Sequence, residues 1–191
     1  DGRDDAGRAL RSGIYFYRLD AGPEFNPLAF SRDGKSVAYV ARREGAVHLY
    51  HRRLDAQKTV ELPGTVDARN PFFSPDGQWV AYFAGLKLRK VSVLGGQPVD
   101  VADVSADRGG AWLENGEILY TPSLSGSLHR IPAAGGTPVS VTSLDTTKSE
   151  RTHRWPCALP GGEWVVFTVG YLNSPGGYDA ADIEAVSLKT G

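Results

Sequence analysis

Methionine is absent from all 191 residues, the first position included, so a chain running from Asp1 to Gly191 is expected to be a segment of a longer protein. Cysteine is almost absent: Cys157 stands alone, which excludes an internal disulfide and leaves the redox compartment open. No apolar run approaches the roughly 18 residues of a membrane-spanning helix, and no signal peptide is legible. Neither sign of charge is in excess, since 21 Lys and Arg face 22 Asp and Glu for a net charge of −1. That removes any general electrostatic reason to bind nucleic acid or an anionic membrane, so neither nucleic acid nor direct membrane insertion is expected. Helical periodicity of useful length is missing too.

Catalytic signatures are equally scarce. There is no Gly-rich phosphate loop, no His-Arg-Asp catalytic loop and no Asp-Phe-Gly, so the segment itself cannot transfer phosphate. The Gly-x-Ser-x-Gly elbow of serine hydrolases does not occur either. Of the four histidines (His48, His51, His129 and His153) none has metal-ligand spacing; His48 and His51, three apart on an expected strand, should face opposite sides. The acidic run Asp1-Gly2-Arg3-Asp4-Asp5 invites a calcium reading, but Arg3 occupies the second ligand place, and a solvated loop is the simpler account. No catalytic residue, metal or cofactor is expected.

What the chain does have is turns, with 23 glycines and 12 prolines, and strand-forming aromatics at 10%. Phe72-Phe73-Ser74-Pro75-Asp76-Gly77-Gln78-Trp79-Val80-Ala81-Tyr82-Phe83 reads as strand, tight turn, strand, with Val80 and Tyr82 at the period of a strand that has one buried face. The unit recurs. Asp33-Gly34, Asp76-Gly77, Asn115-Gly116 and Gly161-Gly162 are spaced by 43, 39 and 46 residues, the range of propeller-blade repeats. Phe30, Phe73, Trp112 and Ala158 stand three residues before these turns, and Val37-Ala38-Tyr39, Val80-Ala81-Tyr82, Ile118-Leu119-Tyr120 and Val165-Val166-Phe167 follow them.

Strands are expected at 26–31, 36–41, 46–53 and 59–62, then at 70–74, 78–83, 87–93 and 98–102. A third set falls at 110–113, 117–121, 127–131 and 138–142, and a fourth, short of one strand, at 154–159, 163–169 and 182–188. The fold expected is all-β: a β-propeller of four-stranded antiparallel blades, three full blades plus three strands of a fourth, in an incomplete ring. The divisions are 1–24 for an N-terminal partial unit and about 25–64, 65–104, 105–144 and 145–191 for the blades. A four-bladed ring, in which residues 14–19 supply the absent outer strand, is the alternative.

Phe73-Ser74-Pro75-Asp76-Gly77 with Val80-Ala81-Tyr82 resembles the motif of TolB-type, WD-repeat-like bacterial propellers. The likeness is closer to propellers C-terminal to bacterial serine/threonine kinases of the PknB type. It is carried by Arg108-Gly109-Gly110-Ala111-Trp112, by Leu128-His129-Arg130-Ile131-Pro132-Ala133-Ala134-Gly135-Gly136-Thr137-Pro138 and by Glu150-Arg151-Thr152-His153-Arg154-Trp155-Pro156. It covers about 25–191; Asn115 for Asp and Pro160-Gly161-Gly162 for Pro-Asp-Gly depart from the motif but keep its turn chemistry. Residues 1–22 resemble the final hairpin of FlgD-like immunoglobulin domains, or else supply a strand of a preceding repeat. The resemblance implies a bacterial, extracytoplasmic setting and a non-catalytic sensor or protein-interaction segment of a serine/threonine kinase. Its alternatives are the substrate-gating propeller of a hydrolase and a TolB-like periplasmic scaffold.

Topology directs attention to one face. In a four-stranded meander the first-to-second and third-to-fourth turns emerge together, here short Asp-Gly and Gly-Gly turns, while the remaining connections emerge on the opposite face. The two longest connections, 143–153 and 170–181, both fall on that second face. They offer Arg151, His153, Tyr171, Asn173, Tyr178 and Asp179 as candidate contacts for a protein, a peptide or a small ligand; a variable loop pair is the plainer reading. Asp33, Asp76 and Asn115 are expected to cap their turns. Phe30, Phe73, Trp112 and Trp155 are expected to pack between blades, with a sugar or peptide site as the alternative.

Overall fold

The computed structural model describes residues 27–56, 58–173 and 180–189; the N-terminal readings, Tyr178 and Asp179 lie outside them. The first blade comprises β1 (Leu28–Phe30), β2 (Ser36–Arg43), β3 (Ala46–Arg53) and β4 (Thr59–Glu61). The second comprises β5 (Arg69–Phe73), β6 (Trp79–Ala84), β7 (Lys87–Ser92) and β8 (Val99–Asp103). The third has β9 (Gly110–Trp112), β10 (Glu117–Tyr120), β11 (His129–Pro132) and β12 (Val139–Ser140), and the fourth β13 (Glu150–Ala158), β14 (Trp164–Tyr171) and β15 (Asp182–Ser187). Each sheet is an antiparallel meander in chain order. The fourth has three strands among the described residues, as expected.

The tight turns hold because each supplies its own acceptor. Ser74 Oγ donates to Asp76 Oδ1 at 2.5 Å and Gln78 N donates to the same oxygen at 3.0 Å. Ser31, Asp33 and Lys35 repeat this at 2.6 and 3.0 Å, and Asn115 Oδ1 accepts Glu117 N at 3.0 Å. Gly77, at φ +69°, then takes the left-handed residue that the turn requires. Asp33, Asp76 and Asn115 are therefore turn caps.

Alternation along each second strand sends side chains to two different neighbours. Val80 and Tyr82 join Phe73 in a core shared with Ala38, Leu49 and Leu62 of the first blade. Ala81 and Phe83 join Phe72 in a core shared with Ile118, Tyr120 and Ile131 of the third. Leu113, Leu119 and Leu128 pack against Val165, Phe167 and Val169 of the fourth. A blade thus has no core of its own; the apolar layers lie between blades. Inner strands β1, β5, β9 and β13 neighbour one another in order, and none of these cores joins the fourth blade to the first, so the described ring is open.

One expected boundary is corrected. β13 starts at Glu150, four residues before the expected 154, and β14 runs on to Tyr171. The first half of β13 is polar, so periodicity alone reads it as loop; pairing with the equally extended β14 makes it strand.

Candidate functional site

The two long connections of the second face meet. After β12 the chain makes a 3-10 turn over Thr146–Lys148, capped by Asp145, whose Oδ1 accepts Thr147 N at 2.9 Å. The hydrogen bond from the Thr147 side chain, foremost, holds that carboxyl below its usual range. Ser149 at φ +63° reverses the chain into β13. Leu172 N then donates to Ser149 O at 2.9 Å, and Glu150 stands opposite Tyr171. Tyr171 Oη donates to Asp182 Oδ2 at 2.5 Å across the base of the other loop, and that bond pushes the phenol up to about 12. The start of β13 and the end of β14 thus form a two-stranded ribbon that runs past the last pair of β14 with β15.

The candidate residues divide between this ribbon and the interior. Asn173 is exposed; Tyr171 and Arg151 are half-buried, and Arg151 O accepts Gly126 N at 3.0 Å. His153 is only 2% exposed. Its Nε2 lies 3.1 Å from Glu150 Oε2 and its Nδ1 2.8 Å from Thr142 Oγ1, with the ring 4.8 Å from Phe167. Glu150 Oε2 also accepts Asp145 N at 2.7 Å. His153 therefore reaches no partner directly; it ties the connection to the blade. The order Thr142, His153, Glu150 has the look of nucleophile, base and acid, yet Thr142 Oγ1 also accepts Leu128 N at 3.0 Å and lines neither cavity described next. The network is structural. Sequence reading missed Thr142 and Glu150 because nothing in strand periodicity marks a hydroxyl 11 residues away as a histidine's partner.

Of the other histidines, His48 pairs with Ala41 and His51 with Ala38 across β2, on opposite faces as expected. Among the described residues no three His, Cys, Asp or Glu side chains are grouped to hold a metal.

A cavity of about 380 Å³ opens along the inner strands of all four blades at the tight-turn face. Phe30, Trp112, Cys157 and Leu159 line it, and Arg32 Nη1 bonds Glu114 Oε1 at its rim, linking first and third blades. The aromatic series accordingly splits. Phe73 is core and half-buried Trp112 packs against the core between the second and third blades, as expected, both also edging the cavity; Phe30, 59% exposed, faces the cavity, and Trp155 lies outside its lining. A second, 110 Å³ hollow on the loop side is lined by Asp67, Arg69, Phe83, Ala84, Gly85 and Asp107.

Four-stranded meander blades stacked face to face around a central groove define a β-propeller. Solved structures share this fold. A candidate TolB from Agrobacterium tumefaciens superposes with a TM-score of 0.71 at 16% identity, over 87% of this chain and 62% of that one. TolB from Acinetobacter baumannii gives 0.69 at 14% identity, over 86% and 42%. The β-propeller domain of the Trilobed protease from Pyrococcus furiosus gives 0.52 at 15% identity, over 76% and 49%. The described chain is thus a TolB-like propeller in fold, and spans less than two thirds of each of these proteins. No family model matches the sequence, and no curated protein does.

Proposed function

We propose that this segment is a non-catalytic interaction or sensor module of a larger bacterial protein, carried by a serine/threonine kinase, and that it takes a protein or peptide on its second face. The observation that supports this reading is the paired ends of β13 and β14: the chain leaving the first long connection at Ser149 is hydrogen-bonded to Leu172, where the second begins, and Leu172 is 61% exposed with Asn173 exposed beside it. Long connections on one face suit recognition, whereas the short turns of the other face need no reason beyond chain reversal. The test uses peptides selected on the purified chain from a random peptide library, titrated calorimetrically. Arg151→Ala and Asn173→Ala should each weaken binding at least about fivefold while preserving the far-UV spectrum. Unchanged affinity in both removes the ribbon as the site.

A second reading, the substrate-gating propeller of a hydrolase, draws support from the apolar cavity along the inner strands and from the likeness to a protease propeller. The gene on either side of the segment separates the two. A kinase domain with a membrane span upstream supports the first; a downstream domain with a Gly-x-Ser-x-Gly elbow supports the second.

A further inference from the structure

The sheet faces at the two ends of the described stack are the two halves of a junction that the molecule builds between each pair of neighbouring blades. One half is an inner-strand residue together with two apolar residues of the second strand, two apart and so on the same side of the sheet. In the second blade these are Phe73, Val80 and Tyr82, all in the core shared with the first. In the third they are Trp112, Ile118 and Tyr120, packed with the second blade. In the fourth they are Ala158, Val165 and Phe167, packed with the third. The first blade holds Phe30, Val37 and Tyr39 at the same positions. Register confirms the equivalence, since Phe30 stands opposite Val37, Phe73 opposite Val80, Trp112 opposite Ile118 and Ala158 opposite Val165. Phe73 is 8% exposed beneath the first blade; Phe30, with no described blade against it, is 59% exposed.

The other half lies on the opposite side of the sheet and is marked by one residue of the third strand. Leu49 stands opposite Val40 and Leu88 opposite Phe83. Both leucines are 0% exposed, Leu49 in the core shared with the second blade and Leu88 in the core shared with the third. In the fourth blade the equivalent residue is Ile183, opposite Thr168, and it is 70% exposed. Trp164 and Val166 share its side of the sheet. The position is aliphatic in all three blades; what differs is whether a neighbour covers it.

We infer that the fourth blade of one copy docks on the first blade of a second copy, with Trp164, Val166 and Ile183 covering Phe30, Val37 and Tyr39. The contact repeats the junction already present between neighbouring blades. Each such junction joins unlike faces, so the association is head to tail rather than two-fold symmetric. The match has one polar exception: Arg52, opposite Val37, stands where the second blade has Val91 opposite Val80. The contact between copies is therefore weaker than the internal junctions and depends on concentration. It is independent of the role proposed for the second face.

The test is light scattering on the 191-residue chain and on two variants that each block one face, Phe30→Lys and the pair Trp164→Lys with Ile183→Lys. The three side chains are exposed, and a thermal transition like the parent's checks that each variant folds. Should a lysine variant lose that transition, Phe30→Ser or Ile183→Ser replaces it. The parent's mass should rise above 20.5 kDa with concentration. Each variant alone should associate at least about tenfold more weakly. Mixed in equal amounts, the two should regain the parent's affinity and stop at twice 20.5 kDa, because one open face of each kind remains. A parent that stays at 20.5 kDa would overturn the inference, its end faces then being covered within the chain or tolerated in water. Either variant associating alone as strongly as the parent, the mark of like faces meeting, would overturn it as well. A mixture no heavier than its components would do the same.

Discussion

At the scale of single residues the chain is governed by small polar devices at its turns. Asp33 and Asp76 are held below their usual 3.8, first by the serine hydroxyl and then by the backbone N–H that each accepts. A depressed carboxyl stabilises fully above its unfolded value, and the contribution is lost as pH falls through the folded one. Asp76→Ala should therefore cost about 0.5–1 kcal/mol at neutral pH, and the gap from the parent should close in urea melts as the pH is carried down through the lowered folded-state value. Asp76→Asn should cost less, since Asn115 performs the same task in the third blade. Tyr171 has the opposite sign: its phenol, pushed up to about 12, supports the fold below its unfolded value near 10 and loses that contribution as pH rises towards the folded one. His153 is the costly residue to remove. His153→Ala leaves a cavity against Phe167 and takes one of two hydrogen-bond partners from the buried Glu150 Oε2, a loss of about 3 kcal/mol that chemical denaturation would read directly. Gly109→Ala meets both a left-handed backbone and the Trp155 ring, and should lower the melting temperature more than alanine at exposed Gly34.

At the scale of elements, the middle blades differ from the outer ones because both faces of their sheets are covered. β6 is buried at Val80, Ala81, Tyr82, Phe83 and Ala84, towards the first blade on one side and the third on the other. In the fourth blade Val165, Phe167 and Val169 are buried while Val166 and Thr168, facing the other way, remain half-buried. Phe83→Ala should cost about 3–4 kcal/mol and Val166→Ala under about 1 kcal/mol. Native-state hydrogen exchange should correspondingly find the slowest amides in β6 and β10. The strands themselves were legible from alternation and turns, most to within two residues at either end. β13 was the exception. Its first half, Glu150 to Arg154, carries four charged or titratable side chains in five and reads as loop; partners supplied by β14, Thr142 and Leu124 turn it into strand.

For the whole molecule, stacking leaves two faces without a described blade against them. Trp164 and Ile183, 47% and 70% exposed, look away from the third blade, and Phe30 is 59% exposed on the first. Sheet faces built to be covered associate when left open. Light scattering on the isolated chain should show a mass rising above 20.5 kDa with concentration, and Ile183→Lys with Trp164→Lys should suppress the rise. A mass that stays monomeric at high concentration would show these faces to be tolerated in water.

The amino-acid sequence by itself determined the repeat, the turns and the register of most strands. Each of these is local: a turn needs its own few residues, and alternation declares which side of a strand is apolar. It also located the second face, because meander topology follows from strand order. Only the tertiary structure decided what that face presents. His153, a candidate contact, went inside because Glu150 and Thr142 satisfy both its nitrogens there. Trp155, expected to pack between blades, stayed partly in solvent because a left-handed backbone, fixed by its neighbours, directs it over Gly109. Burial and backbone handedness at one position depend on residues 11 to 46 places away, a dependence that no periodicity in the chain records.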